Sequence, residues 1–209
     1  MIIPVGITNQ LTAEGKKNLY DAAAKYEGEL KKAGVRVKVD YRENYTPGWK
    51  FNHWEVKGVP VRLELGPKDL EKGAVVACRR DTLEKTSLAL ATLPAEVDGL
   101  LERIQAAMYA KAKKERDEHL KIVYKWDEFV PVLNSKNIVM IPWCQQTPCE
   151  DDIKDRSAKA SAEAVDEKAP SMGAKTLCVP FEQPGDATQH TCVGCGKPAK
   201  SFTLFGRSY

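Results

Sequence analysis

The sequence predicts two α/β-type domains in tandem: a larger one with helices packed on a mixed sheet, and a smaller α+β one closed by a metal ion. Three observations lead there. In residues 1–118, strand-like runs of period two alternate with longer segments of helical period. In residues 119–209 the ordered runs are shorter, and two close cysteine pairs fall only in that part. The length of 209 residues leaves room for one large or two small cores, and 43% hydrophobic with 29% charged residues is ordinary globular composition.

Residues 2–5 read as a short buried strand. Thr12 opens a helix with an apolar stripe of Leu19, Ala22, Ala23, Tyr26 and Leu30. It closes on Lys31 and Lys32, with Gly34 just past its end. Residues 35–39 alternate as a second strand with Arg36 and Lys38 outward, so this strand–helix–strand unit predicts a parallel pairing. Thr46 and Pro47 start a second helix, the first suited to the cap and the second to the first helical position. On it Phe51 and Glu55 share a face with Trp54 beside them, while Trp49, His53 and Val56 are expected to face the core.

Gly58 stops that helix. Residues 59–65 then alternate as a strand, with Val59, Val61, Leu63 and Leu65 on one face and Arg62 and Glu64 on the other. Gly66-Pro67 ends it and leaves Lys68 and Asp69 at its exit. Residues 74–79 form a further strand, and residues 85–90 fold back beside it. From Leu93 a long helix turns Val97, Leu101, Ile104 and Met108 inward, with a densely charged outer face over residues 111–118.

The domain boundary is placed at His119, giving domains of residues 1–118 and 119–209. Beyond it, residues 122–124 are strand-like, 126–133 a short helix and 138–141 a buried strand. Residues 149–157 begin acidic and end basic, as a helix with a favourable dipole would. Residues 157–169 lack aromatics; they either extend that helix or form a mobile loop, and the composition favours the loop. Residues 176–181 and 201–205 read as strands. No internal repeat is visible.

The central stretch, residues 46–69, gathers an aromatic, two carboxylates and two cations near one turn. A carboxylate accepts hydrogen bonds from the N1–H and N2–H₂ edge of an unpaired guanine, an arginine donates to O6 and N7, and an exposed ring stacks. The plainer reading is a solvated sheet edge. Residues 40–85 hold nine Lys/Arg against eight Asp/Glu, and the whole chain has a net charge of only +3, so no strong basic footprint marks the stretch. That balance counts against tight autonomous nucleic-acid binding and fits a domain that reads a few bases while other parts of a larger enzyme hold the phosphates.

Cys144 and Cys149 form one pair and Cys192 and Cys195 another, with 42 residues between the pairs. Structural zinc sites use four ligands in such pairs, and Gly194 and Gly196 permit a tight turn around the ion. A closed four-thiolate shell has no open position for water, so the metal would be a staple. Free thiols, or redox chemistry at Cys192 and Cys195, are the other readings; no helical pattern follows that pair, unlike a thioredoxin motif. Cys78 and Cys178 are expected as buried thiols, His53 and His119 as ordinary surface or core residues, and His190 as the one alternative ligand. No apolar run is long enough for a membrane span, and the start MIIP is no signal peptide, which with six cysteines points to a reducing, cytoplasmic compartment. The strand-like start without a lead-in reads as the edge of an excised fragment.

The string GWKFNHWEVKGVPVRLELGPKDL resembles the anticodon-binding domain of prolyl-tRNA synthetase in its archaeal- and eukaryotic-type branch, and the resemblance continues through VACRRDT and SMGAK to the closing FGRSY. It implies a mixed-sheet anticodon-binding domain of the class II synthetase kind, followed by a smaller α+β zinc-binding domain held by Cys144, Cys149, Cys192 and Cys195. It places the anticodon contacts on Phe51, Glu55, Arg62, Lys68 and Asp69, and more loosely on Arg79 or Arg80. It implies tRNA(Pro) as a partner, and a parent enzyme that ligates proline to tRNA with ATP and Mg2+ on a catalytic core that this chain lacks. The three class II signature motifs do not occur here, so the chain alone is expected to be inactive. The resemblance also implies a homodimeric parent joined mainly through that core, which leaves the fragment's own state open, a monomer being one option, and a C-terminal Tyr209 that in the full enzyme reaches toward the active site. Against this stands a reading from a different class, a zinc-stabilised protein-interaction module with negligible RNA binding.

Overall fold

The computed structural model describes residues 1–163 and 172–207; Tyr209 and most of the second half of the 157–169 stretch lie outside the described residues. The chain divides into two compact units, Met1–Lys111 and Ala112–Tyr209.

In the first unit, strands β1 (Ile2–Pro4), β2 (Val61–Leu65), β3 (Ala74–Arg79) and β4 (Lys85–Ala89) form a sheet in that order. β1 and β2 are parallel and the other pairings antiparallel, so the sheet is mixed. Helix α1 (Ala13–Lys32) is capped by Thr12, whose Oγ1 accepts from the Gly15 N–H at 3.0 Å. Its Leu19, Ala23 and Leu30 join Ile2, Leu63, Leu65, Val75 and Leu88 from the sheet in one core. Helix α4 (Leu93–Glu118) adds Leu93, Val97, Leu100 and Ile104. Its apolar stripe runs out before Met108, which is exposed.

The expected second parallel strand over residues 35–39 does not form. One bridge from Ile2 to Val39 takes its place, with the Ile2 N–H donating to the Lys38 carbonyl at 2.9 Å. The Asp40 N–H returns a bond to the Ile2 carbonyl at 3.0 Å, and its carboxylate accepts from the Trp54 indole at 2.8 Å. Helix α2 (Pro47–Val56) is capped as the sequence predicts, the Trp49 N–H donating to Thr46 Oγ1. Its inner face is different: Trp49 and Val56 are exposed, and Lys50 is buried with Nζ donating to the Asp40 carbonyl. β2 ends at Leu65, before Gly66-Pro67 as expected, and the chain then enters a short helix that the sequence reading did not include, α3 (Pro67–Glu71).

The second unit has a mixed sheet of β5 (Leu120–Ile122), β6 (Ile138–Trp143), β8 (Ser201–Gly206) and β7 (Lys175–Cys178), in that order. Only β5 and β6 are parallel. Helices α5 (Trp126–Asn134) and α6 (Thr147–Glu163) bury Phe129, Leu133 and Ile153 against Val139, Ile141 and Phe205. α6 continues past Ser157 to Glu163, so the helical alternative holds that far: alanine, lysine and glutamate are good helix formers. Cys178 is exposed, correcting the expectation of burial, because register shifts between Thr176 and Cys178 on the edge strand. Among the described residues no helix is long and apolar enough to cross a membrane.

Candidate functional site

The antiparallel registers align Arg62 with Cys78 and Cys78 with Lys85, so these side chains emerge on one face of the sheet with Glu64. α2 lies over that face. Arg62 becomes its hub: Nε donates to Glu64 Oε1 at 2.8 Å, Nη1 donates to Glu55 Oε1, and the guanidinium carbon sits 4.3 Å from the centre of the Phe51 ring. Lys85 Nζ donates to the other oxygen of Glu64 at 2.9 Å. Burial pushes the Glu64 carboxyl up, but the hydrogen bonds from Arg62 and Lys85 outweigh it and hold the group below its usual range. The side chain of Arg62 is only 12% exposed, so its fork is pre-oriented rather than free to sweep the surface.

Phe51, Trp54, Glu55, Arg62 and Arg80 line one crevice, with Cys78 at its floor. The structure therefore brings together Phe51, Glu55, Arg62 and Arg80. Arg79 faces elsewhere and forms a two-pronged pair with Asp81, at 3.0 and 2.7 Å. Lys68 and Asp69 stand apart from the crevice, in the first turn of α3. Asp69 there supplies the return half of a capping box, its Oδ2 accepting from the Gly66 N–H at 2.9 Å, while Gly66 has no side chain to give the other half. Glu64 and Lys85, which complete the Arg62 network, were not singled out from sequence as site residues. Their signal was the alternation that sets Arg62 and Glu64 on one strand face.

The four predicted metal ligands do converge. Cys144 follows β6, Cys149 lies in the first turn of α6, and Cys192 and Cys195 come from the loop before β8. All four sulfurs lie within 4.8 Å of one another, and the Cys149–Cys192 and Cys144–Cys195 pairs are each 3.6 Å apart. A tetrahedron with bonds of about 2.3 Å to a central zinc has edges of about 3.8 Å, whereas a disulfide needs about 2.05 Å. Three of the four are buried, and burial pushes the Cys144 and Cys149 thiols up when no cation is present. For Cys195 burial opposes but is outweighed by the Lys197 N–H and by the other cysteines, so that thiol is lowered. Four sulfurs at this spacing, three of them buried, are a donor set for a metal ion. Gly194 packs against them so tightly that a Cβ there would lie 2.9 Å from Cys149 Sγ. His190 is not in the cluster; its ring lies 5.1 Å from Tyr124 and 5.5 Å from Phe202.

Residues 1–100 match the family described as anticodon binding domain, and residues 126–209 match the family described as prolyl-tRNA synthetase, C-terminal. The first unit is thus an anticodon-binding domain of an aminoacyl-tRNA synthetase. Three relatives align along the entire chain. A putative proline–tRNA ligase of Schizosaccharomyces pombe is 50% identical over 216 residues, 30% of its own length. A bifunctional glutamate/proline–tRNA ligase of Drosophila melanogaster is 46% identical over 212 residues, 12% of its length. A cytoplasmic proline–tRNA ligase of Arabidopsis thaliana is 41% identical over 209 residues, 37% of its length. The chain belongs to the prolyl-tRNA synthetase family and corresponds to its C-terminal part.

Proposed function

We propose that this chain reads the anticodon of tRNA(Pro) on behalf of a cytoplasmic proline–tRNA ligase whose catalytic core, with its ATP and Mg2+, lies outside it. The observation that carries the reading is the Arg62 hub. Its contacts use Nε and one Nη1 hydrogen, which leaves the Nη2 edge to donate to guanine O6 and N7, while the Phe51 ring presents a stacking face. Glu55 and Asp69 each spend one oxygen inside the chain and accept from guanine N1–H and N2–H₂ with the other. Lys68 and Arg80 supply cations for O6, N7 or phosphate. The metal held by Cys144, Cys149, Cys192 and Cys195 is zinc, and its part is structural: four thiolates close the shell and leave no position for substrate. The chain alone is a monomer, and the parent enzyme dimerises through its core.

Proline anticodons share two guanines, so the test is fluorescence anisotropy at low salt with a proline-anticodon stem-loop and the same loop with both guanines replaced. A tenfold or greater preference for the first loop is expected, lost in Asp69→Asn. Asparagine can still accept from the Gly66 N–H, so the cap survives while the guanine acceptor is exchanged for a donor. Equal, weak binding to both loops would show that this chain does not select the bases.

A further inference from the structure

Trp54 lines two crevices. One is the Arg62 crevice; the other, on the far side of the indole, is an open cavity of about 590 Å³ lined by Lys38, Asp40, Arg42, His53 and Lys57. Three cations face this second cavity against one carboxylate, Asp40, which is buried and already accepts from Arg42 at 2.7 and 2.9 Å and from Trp54 at 2.8 Å. The Arg42 guanidinium holds the Asp40 carboxyl well below the usual carboxylate range, so it stays a fixed anchor. Neither exposed Lys38 nor exposed Lys57 has an ion-pair partner among the described residues. Beside the cations rises an aromatic ladder: Tyr45 stacks on Trp49 at 3.8 Å and 12°, and Trp49 on His53 at 4.7 Å and 18°. Arg42 sits 5.0–5.7 Å from the rings of Tyr45, Trp49 and Trp54. Tyr45 and Trp49 remain 37% and 40% exposed, a large apolar area to leave in water.

We propose that this face is a second subsite for single-stranded RNA, in which Lys38, Arg42 and Lys57 hold phosphates and the open edge of the Tyr45–Trp49 stack receives an unpaired base. Aromatic stacks beside cations are how proteins hold single strands without reading sequence. The face runs into the Arg62 crevice across Trp54, so one strand passes from the bases that are read to a neighbouring nucleotide that is only held. A polypeptide segment would need acidic side chains to satisfy the same cations, and the exposed flat rings favour bases over them.

The inference rests on the anticodon-reading proposal for its choice of RNA, and the experiment separates the two. The whole chain and its Lys38→Ala/Lys57→Ala variant are titrated with the proline-anticodon loop and with the guanine-replaced loop across a salt series. A Lys113→Ala/Lys114→Ala variant serves as the charge-matched control, and circular dichroism confirms folding. The variant is expected to bind both loops about tenfold or more weakly by the same factor. Its slope of log K against log salt should be shallower by about 1.4, some 0.7 for each of two lost phosphate contacts on a single strand. Unchanged affinity and slope, or the same loss in the control, overturns the subsite while leaving guanine preference intact. Equal binding of both loops that disappears in Lys38→Ala/Lys57→Ala supports the subsite and removes the base-reading proposal. No binding of either loop at low salt overturns both.

Discussion

Gly194→Ala probes the metal site without touching a ligand. An added Cβ would meet Ile153 Cδ1 at 2.7 Å, Ile153 Cγ1 at 2.8 Å and Cys149 Sγ at 2.9 Å. Carbon contacts ordinarily begin near 3.5 Å. Ile153 is fully buried and cannot swing to solvent, so the strain passes to the loop or to Cys149. Overpacking of this kind costs about 1–3 kcal/mol. For a unit of this size each kcal/mol is worth about 4–8 °C, so about 2 kcal/mol is a loss on the order of 10 °C in the transition of the second unit. Metal–sulfur bonds tolerate about 0.2 Å, so a displaced Cys149 also weakens metal retention. The assay is thermal unfolding by circular dichroism together with zinc content after dialysis against a graded chelator. Gly185→Ala, where a Cβ meets nothing within 4 Å, is the control and is expected to behave as wild type. A Gly194→Ala protein that melts with wild type and keeps its metal as tightly would refute the packing argument.

Other outcomes follow from the same contacts. Arg62→Lys keeps the charge but loses the fork between Glu55 and Glu64, and should reduce guanine discrimination by about 1–3 kcal/mol in loop binding while the fold persists. Asp40→Asn should destabilise the first unit at pH 7 by about 1.5–3 kcal/mol, read from urea unfolding. Because the folded carboxyl lies below its unfolded value, its contribution is present above about pH 4 and is lost as pH falls further, so the gap between wild type and variant should close only in acid. Gly28→Ala, in α1 with open space around the added methyl, should stabilise the first unit by about 0.5–1 kcal/mol in the same assay. Freshly purified protein should carry one zinc per chain by elemental analysis, and Cys149→Ser should lose it.

Local chemistry made the elements around the Arg62 crevice legible. Thr46-Pro47 fixed where α2 begins, and strict alternation put Arg62 and Glu64 on a common face. The cysteine spacing was enough to pick out the four thiols that converge. What sequence did not show depends on contacts between remote segments. The inner face of α2 was misread because Lys50 and Trp54 are drawn in by Asp40, a residue in another loop, while Trp49 finds its neighbours in Tyr45 and His53 and stays at the surface. Helix α3 was missed because Gly-Pro reads equally as a stop and as a cap followed by a first helical residue, and only the Asp69 bond back to Gly66 decides. Whether Arg79 or Arg80 joins the crevice turned on the pair between Arg79 and Asp81.

The metal cluster also closes a ring. Trp143 at the end of β6 pairs directly with Ser201 at the start of β8, so the chain between them, which carries α6 and β7, departs from this pairing and returns to the same point. Cys144 and Cys149 guard the exit, and Cys192 and Cys195 guard the return. A metal ion held by these four sulfurs would join the two ends whatever happens along the circuit, removing most of the loop-closure cost from the unfolded side while it stays bound. Within the circuit α6 packs in the core and β7 pairs with β8, so changes of length are cheapest in the connections outside those two elements. With an ion held by the four sulfurs, a chain severed between Cys149 and Cys192 would stay joined at that neck until the ion is taken away.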